Sequence, residues 1–200
     1  FDQFYLATGH KILERYGMTE TNIISSNPVN GERKSGTVGL CLMGQALRIV
    51  DDNDNILRSD DIGNIQVKGP NVFNGYWNLP EKTKEDFSAD NFFNTGDKGF
   101  IDQDGYLTIV GRTKDMIISG GLNVYPKEVE SVINEIEGVI ESAVIGLPDD
   151  DLGEKVVAVI VSEEKTEIIE GELISSLKNN IAGFKVPKNR IVIEELPRNT

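Results

Sequence analysis

Two kinds of hydrophobic spacing divide the chain. In the first part apolar positions alternate with polar ones, the pattern of a half-buried sheet. Ala46 to Val50 and Ile62 to Lys68 read as strands on this basis, with a turn over Asp51 to Asn55 and Ile56-Leu57 leading out of it. Gly69-Pro70 ends the second strand, and Gly75-Tyr76-Trp77 follows in a loop. Gly99 to Asp102 and Tyr106 to Val110 are predicted to form a hairpin about Gln103-Asp104-Gly105, because Asp-Gly favours a tight turn. Met116 to Ile118 is a short strand that stops at Ser119, Gly120 and Gly121. Beyond it the spacing becomes helical. Pro126 stands where a first helical turn accepts proline, and Val129, Val132, Ile133 and Ile136 form one apolar face of a helix reaching Ile136. Val139 to Leu147, Glu154 to Ser162 and Arg190 to Glu194 read as strands. Ile169, Leu173, Leu177 and Ile181 line a second helix. The fold class is therefore α+β, with a boundary at Lys114: a β-rich part, residues 1–113, and an α+β part, residues 114–200.

Composition narrows the function classes. A hydrophobic content of 38% supports a packed core, and a net charge of −13 argues against a nucleic-acid partner, which needs a basic face. That charge leaves nucleotides open, since they need only a few local donors. The single cysteine, Cys41, cannot form an internal disulfide, fits a reducing, cytoplasmic compartment, and lies in an apolar run that suits packing. No apolar run reaches the length of a membrane span and no signal peptide is visible, so no membrane association is expected. His10 is the only histidine, so no catalytic triad can be built around it, and no Cys/His spacing suits a metal centre. The chain opens on Phe1 and stops after Leu196-Pro197-Arg198-Asn199-Thr200 without a terminating element, as a piece of a longer protein would.

Four short stretches could carry chemistry, and each has a bland alternative. Tyr16-Gly17-Met18-Thr19-Glu20 offers an aromatic surface, a hydroxyl and a carboxylate. These suit adenine, a phosphate and Mg²⁺, or simply a surface loop with a capping threonine. Thr95-Gly96-Asp97 places a carboxylate at a strand end, where it could accept from both ribose hydroxyls or merely close a turn. Arg112 has five donors for ribose or phosphate oxygens, or for a surface ion pair. Gly120-Gly121 after a strand lets backbone approach a ligand closely, or makes an ordinary turn. Asp149-Asp150-Asp151 reads as a solvated loop.

Taken in order, YGMTE from Tyr16, GNIQVKGPNVFNGYW from Gly63, TGD from Thr95, GRTKDMIISGGLNVYPKEVE from Gly111 and FKVPKNRIVIEELPRNT from Phe184 resemble the adenylate-forming enzymes. That family comprises acyl-CoA synthetases, luciferases and the adenylation domains of peptide synthetases. The resemblance spans essentially the whole chain. It implies the β-rich end of a large AMP-binding domain followed by a small mobile α+β domain. It also implies two half-reactions: ATP and a carboxylate give an acyl-adenylate and pyrophosphate, then the thiol of coenzyme A displaces AMP.

Carried over by motif, Tyr16 and Gly17 border adenine, Thr19 contacts the α-phosphate side and Glu20 holds Mg²⁺. Asp97 and Arg112 take the ribose side, Lys114 is the hinge, and Gly120-Gly121 line the pantetheine tunnel. The family's phosphate loop and its final catalytic lysine have no counterpart in this chain, so the piece is expected to be inactive alone. ERYGMTETN, SNPVNGERKSGTVG and LPRNT are most similar to malonate-activating members. A second carboxylate on the substrate calls for a cation, for which Arg15, Arg33 and Lys34 are near in sequence. Two other functions fit the resemblance: loading a carrier-protein thiol, and a non-catalytic binding module that kept the fold.

Overall fold

The computed structural model describes residues 1–162 and 170–198. The chain forms two compact units, Phe1–Thr113 and Lys114–Thr200. Among the described residues no helix is long and apolar enough to cross a membrane.

The first unit opens with α1 (Asp2–Thr8), followed by a small antiparallel sheet of β1 (Arg15–Met18), β2 (Asn22–Ser26) and β3 (Leu40–Cys41). Next come β4 (Ala46–Val50), β5 (Gly63–Lys68), the short α2 (Pro80–Glu85), β6 (Phe93–Ile101) and β7 (Leu107–Arg112). The strands β4 to β7 make an antiparallel meander in chain order. Alternation explains β5: Ile65 and Val67 are buried inward, packing with Ile24, Ile49, Phe93 and Leu107. Tyr16 of β1 joins the same core at 9% exposure.

The predicted hairpin exists but is longer than its alternation suggested. It extends from the turn, where Asp102 Oδ1 accepts from the backbone N–H of Asp104 and Tyr106, back to the pair Asp97↔Arg112. Neither α1 nor α2 carries a sustained helical hydrophobic spacing. Neither has an apolar face broad enough to be read: α2 buries no residue at all.

The second unit is a five-stranded sheet with helices packed against it. It contains β8 (Ile117–Ser119), β9 (Leu122–Val124), α3 (Pro126–Ile133), β10 (Val139–Asp149), β11 (Gly153–Ser162), α4 (Glu170–Asn180) and β12 (Asn189–Ile193). One edge of β11 pairs with β10. Its other edge is shared by β8, at Gly153↔Ser119, and by β12, which runs parallel. Val129 and Ile133 of α3 and Leu173 and Leu177 of α4 meet Val144, Val156, Ala158 and Ile160 of the sheet. Burying each of the valine, leucine and isoleucine side chains among these is worth about 1.5–3 kcal/mol.

The helical face was legible, but α3 stops at Ile133, and Ile136 reaches the same core from the following turn. Ile169 lies outside the described residues, and Ile181 follows the end of α4. The strand β9 was missed because only three residues separate Gly121 from Tyr125. Asp149-Asp150-Asp151 forms the β10–β11 turn, where Asp149 Oδ1 accepts from the N–H groups of Asp151 and Leu152.

Candidate functional site

Tyr16 and Asp97 stand 81 residues apart and meet directly. The Tyr16 hydroxyl donates to Asp97 Oδ2 in a buried hydrogen bond. Burial first, and then this bond to a carboxylate, push the Tyr16 hydroxyl well above the usual tyrosine range. On the other carboxylate oxygen, Arg112 Nε lies 3.4 Å from Asp97 Oδ1. The guanidinium side chain is 60% exposed and that of Asp97 is 11% exposed. Such an open pair contributes little stability, about 0–1 kcal/mol, and leaves most of the arginine fork turned to solvent.

A local distortion of β6 brings Asp97 to this position. Between Asn94 and Lys98 the strand advances four residues while β5 steps only from Gln66 to Asn64. The extra residues bulge at Thr95-Gly96-Asp97, where Gly96 takes a left-handed φ of 75°. Thr95 secures the bulge from both sides: its hydroxyl donates to Ile65 O at 2.9 Å and accepts from Asp97 N–H at 3.2 Å. Gln66, fully buried, fixes the register just before it. Its amide donates to Asn94 Oδ1 (2.6 Å) and Asp54 Oδ1 (2.7 Å), and its carbonyl accepts from Arg48 Nε (2.7 Å). A buried polar group satisfied on every side specifies one register. The expectation of a carboxylate at a strand end is therefore corrected: Asp97 sits inside a nine-residue strand, on a bulge that alternation cannot reveal.

The Tyr16-to-Glu20 stretch is a strand running into a turn, and not the surface loop of its bland alternative. Tyr16, Gly17 and Met18 belong to β1; Thr19 and Glu20 lie in the turn to β2. Gly17 is required by its own hairpin: a Cβ there would stand 2.0 Å from Asn22 O. The Tyr16 ring packs in the core at 9% exposure. Thr19 is exposed and Glu20 half-buried. Tyr76 donates to Glu20 Oε1 at 3.1 Å, and its own pKa is pushed up to about 12, by burial first and then by this bond. Phe73, stacked edge-on against Tyr76 at 4.8 Å between centroids, donates its N–H to Glu20 O at 2.8 Å. Beside this pair runs an open groove of about 990 Å³ bordered by Phe73, Tyr76, Phe87 and Trp77, the last 89% exposed.

In the second unit, Lys114 lies in a single 3₁₀ turn, Thr113–Asp115, and is exposed. Gly120 and Gly121 form the two-residue turn joining β8 to β9. Both have left-handed φ, 59° and 77°, as a mirror-image hairpin turn demands. Conformation rather than crowding selects them within this chain, since a Cβ on Gly121 would meet nothing within 4 Å.

The cations considered for a second substrate carboxylate fare differently. Arg33 donates to three backbone carbonyls and Lys34 is held by Asp102 and Asp104, whereas Arg15 is exposed on β1. Cys41 is half-buried, and burial raises its thiol pKa, which suits packing over reactivity. His10 is exposed. Among the described residues no cluster of three His, Cys, Asp or Glu could hold a metal by itself.

Tyr76 and Thr95 are the functional neighbours that motif reading missed. Both lie inside stretches already singled out, GYW and TGD, but nothing in the sequence pairs Tyr76 with a glutamate 56 residues away.

This sheet-rich architecture is the adenylate-forming fold. The ATP-bound crystal structure of MatB from Rhodopseudomonas palustris matches the whole chain and 40% of its own length, with a TM-score of 0.95 and 52% identity. The family model for AMP-binding enzymes matches residues 1–77, and that for the AMP-binding enzyme C-terminal domain matches residues 128–200. The chain belongs to the AMP-binding enzyme family. A malonate–CoA ligase of Arabidopsis thaliana is 42% identical over 98% of the chain and 34% of the relative. A long-chain-fatty-acid–CoA ligase of Salmonella typhimurium is 39% identical over 96% of the chain and 34% of the relative. The chain thus spans about a third of the length of these curated relatives.

Proposed function

We propose that the protein containing this chain is an ATP-dependent acid–thiol ligase. It joins a small carboxylate to AMP with release of pyrophosphate, then passes the acyl group to the thiol of coenzyme A. The observation that carries this reading is the anchored carboxylate of Asp97. It is held on one oxygen by Tyr16, approached on the other by Arg112, and still has acceptor capacity for the two neighbouring hydroxyls of a ribose. Arg112, with most of its donors in solvent, supplies the complementary half of that contact. Gly17 borders the adenine side, and Thr19 takes the α-phosphate side.

Glu20 would hold Mg²⁺. The donor set fits, because Mg²⁺ needs only one or two carboxylates beside water and nucleotide phosphates, and Tyr76 orients this carboxylate. When bound, the ion neutralises charge on the phosphates. The remaining roles in this reading fall to Asp97 and Arg112, which fix the nucleoside, to Lys114 as the hinge of a small domain, and to the Gly120-Gly121 turn as a narrow wall for pantetheine.

Malonate is the acyl substrate we favour. The motifs ERYGMTETN and SNPVNGERKSGTVG support it, as do the malonate–CoA ligase relative and the MatB structure. Of the three cations near these motifs, Arg15 is the one not already committed within the chain as Arg33 and Lys34 are. The test is pyrophosphate release by the full-length protein against a panel of carboxylates, followed by thioester formation. Malonate should exceed acetate and long-chain acids in kcat/KM. Preference for a fatty acid would overturn the substrate while leaving the ligase class, and no activation of any carboxylate would overturn the class.

A further inference from the structure

We propose that Thr83 is a positioning residue of this site: by pinning the backbone of Tyr76 it aims the Tyr76 hydroxyl at Glu20, and so sets the Glu20 carboxylate for Mg²⁺. The inference rests on the reading of Glu20 as the Mg²⁺ carboxylate and goes beyond it.

The segment from Asn71 to Tyr76 lies on the turn between β1 and β2 and holds it at three points. Asn71 Nδ2 donates to Thr21 O at 2.6 Å and Phe73 N–H donates to Glu20 O at 2.8 Å, which fixes the backbone of the turn. Of the three, only Tyr76 reaches the Glu20 side chain. Its hydroxyl also faces a second carboxylate, Asp86 at the end of α2, more weakly than it faces Glu20. Lys82 already holds Asp86, at 2.8 Å. A hydroxyl that faces two carboxylates serves one of them steadily only if its ring cannot shift. Phe73 restrains the ring edge-on, and Thr83 restrains the backbone that carries it. The Thr83 hydroxyl has one hydrogen and gives it to Leu79 O at 3.0 Å. Toward Tyr76 it can therefore only accept, and it takes the Tyr76 N–H at 2.9 Å. Its methyl closes the same joint: a Cβ on Gly75 would stand 2.6 Å from Thr83 Cγ2. The helix that carries Thr83, α2, is six residues long and buries none of them. Core packing gives this helix no part, whereas the bond to Tyr76 does.

The test uses the full-length protein with α,β-methylene-ATP and no carboxylate, so that nothing turns over. Calorimetry gives the affinity for the nucleotide with Mg²⁺ and again in EDTA, and the ratio of the two is the metal's share of binding. Thr83→Val keeps both γ branches and loses the hydroxyl. It should cut that ratio roughly twofold to tenfold, the effect of one lost hydrogen bond, with the affinity in EDTA unchanged. Thr83→Ser, which keeps the hydroxyl and drops the methyl, should restore the ratio. Thr83→Val combined with Tyr76→Phe should be no worse than Tyr76→Phe alone, because Thr83 acts only through that hydroxyl. An unchanged ratio in Thr83→Val, an equal loss with and without Mg²⁺, no rescue by serine, or additive losses in the double variant would each overturn the proposal. If Glu20→Gln keeps the full ratio, the Mg²⁺ reading of Glu20 fails and this inference with it. A fallen ratio in Glu20→Gln without one in Thr83→Val removes the inference alone.

Discussion

The two units hold their residues in place by different means. In the first, buried polar groups do much of the positioning: Thr21, Ser25, Asn27, Gln66, Thr95, Asp97 and Lys98 are all sequestered there, and Gln66, Thr95 and Asp97 are tied to strands far away in sequence. In the second, Ser119 is the one buried polar residue among those described, and the unit is an apolar layer of helix on sheet. Two of its carboxylates accept from strand N–H groups, Glu130 from Val144 and Glu154 from Ile118. A hydrogen-bonded interior fixes direction, because each donor must find its acceptor. An apolar interior fixes proximity and tolerates small displacements. The first arrangement suits a site that must orient a ligand. The second suits a body that must stay folded while presenting turns such as Gly120-Gly121.

The comparison breaks or sharpens under four changes. Leu177→Ala in the second unit should cost about 2–5 kcal/mol of that unit's stability, because a fully buried side chain leaves a cavity. Calorimetry would show it, with ATP affinity in the first unit unchanged; weakened nucleotide binding would show that the units are not energetically separate.

At the boundary, Lys114→Pro fixes φ near −65° and removes a backbone donor, so it should cut thioester formation roughly a hundredfold while adenylate still forms. Lys114→Ala should be mild in both steps. Separate assays of pyrophosphate release and thioester yield decide it, and loss of adenylation in the Ala variant would make Lys114 a binding residue.

Asp97→Ala should raise the KM for ATP tenfold to about a hundredfold, the loss of a charged hydrogen bond worth about 1.5–3 kcal/mol. Unchanged ATP kinetics would refute the assignment.

Smallest is Tyr76→Phe, which frees Glu20 on one side. The Mg²⁺ concentration for half-maximal rate should rise roughly twofold to tenfold, for a bond worth about 0.5–1.5 kcal/mol. Burial and the Glu20 bond raise the Tyr76 pKa from 10.0 to about 12. The stability linked to the neutral hydroxyl is therefore full below pH 10 and lost as pH climbs through 12, and Tyr76→Phe should flatten that part of an alkaline unfolding curve.

What the sequence made legible was local. Asp104-Gly105 announced a hairpin, but its regular register would set Gly111 opposite Asp97, and only the shift between Lys98 and Gly99 pairs Arg112 with it. The i, i+3, i+4, i+7 spacing from Val129 gave the apolar face of α3, and Pro126 gave its start. What stayed hidden was non-local. No spacing rule joins Tyr16 to Asp97 or Tyr76 to Glu20, because these contacts depend on how sheets stack. The bulge at Thr95 was hidden for another reason: it breaks the alternation by which a strand is recognised, so Thr-Gly-Asp looked like the end of a strand that in fact continues to Ile101. Gly17 shows the converse. Its motif suggested ligand approach, whereas the nearest obstacle to a side chain is the chain's own backbone at Asn22.

Trp77 gives the molecule an optical property. It is the chain's single tryptophan, and it stands almost wholly in solvent beside the groove next to the Tyr76–Glu20 pair. Its emission should already be red-shifted in the native state and readily quenched by iodide. Unfolding would then change its colour little, which makes tryptophan fluorescence a poor thermometer for this chain. For the same reason it is a sensitive reporter of anything that covers the groove, since cover alone can move that emission to the blue.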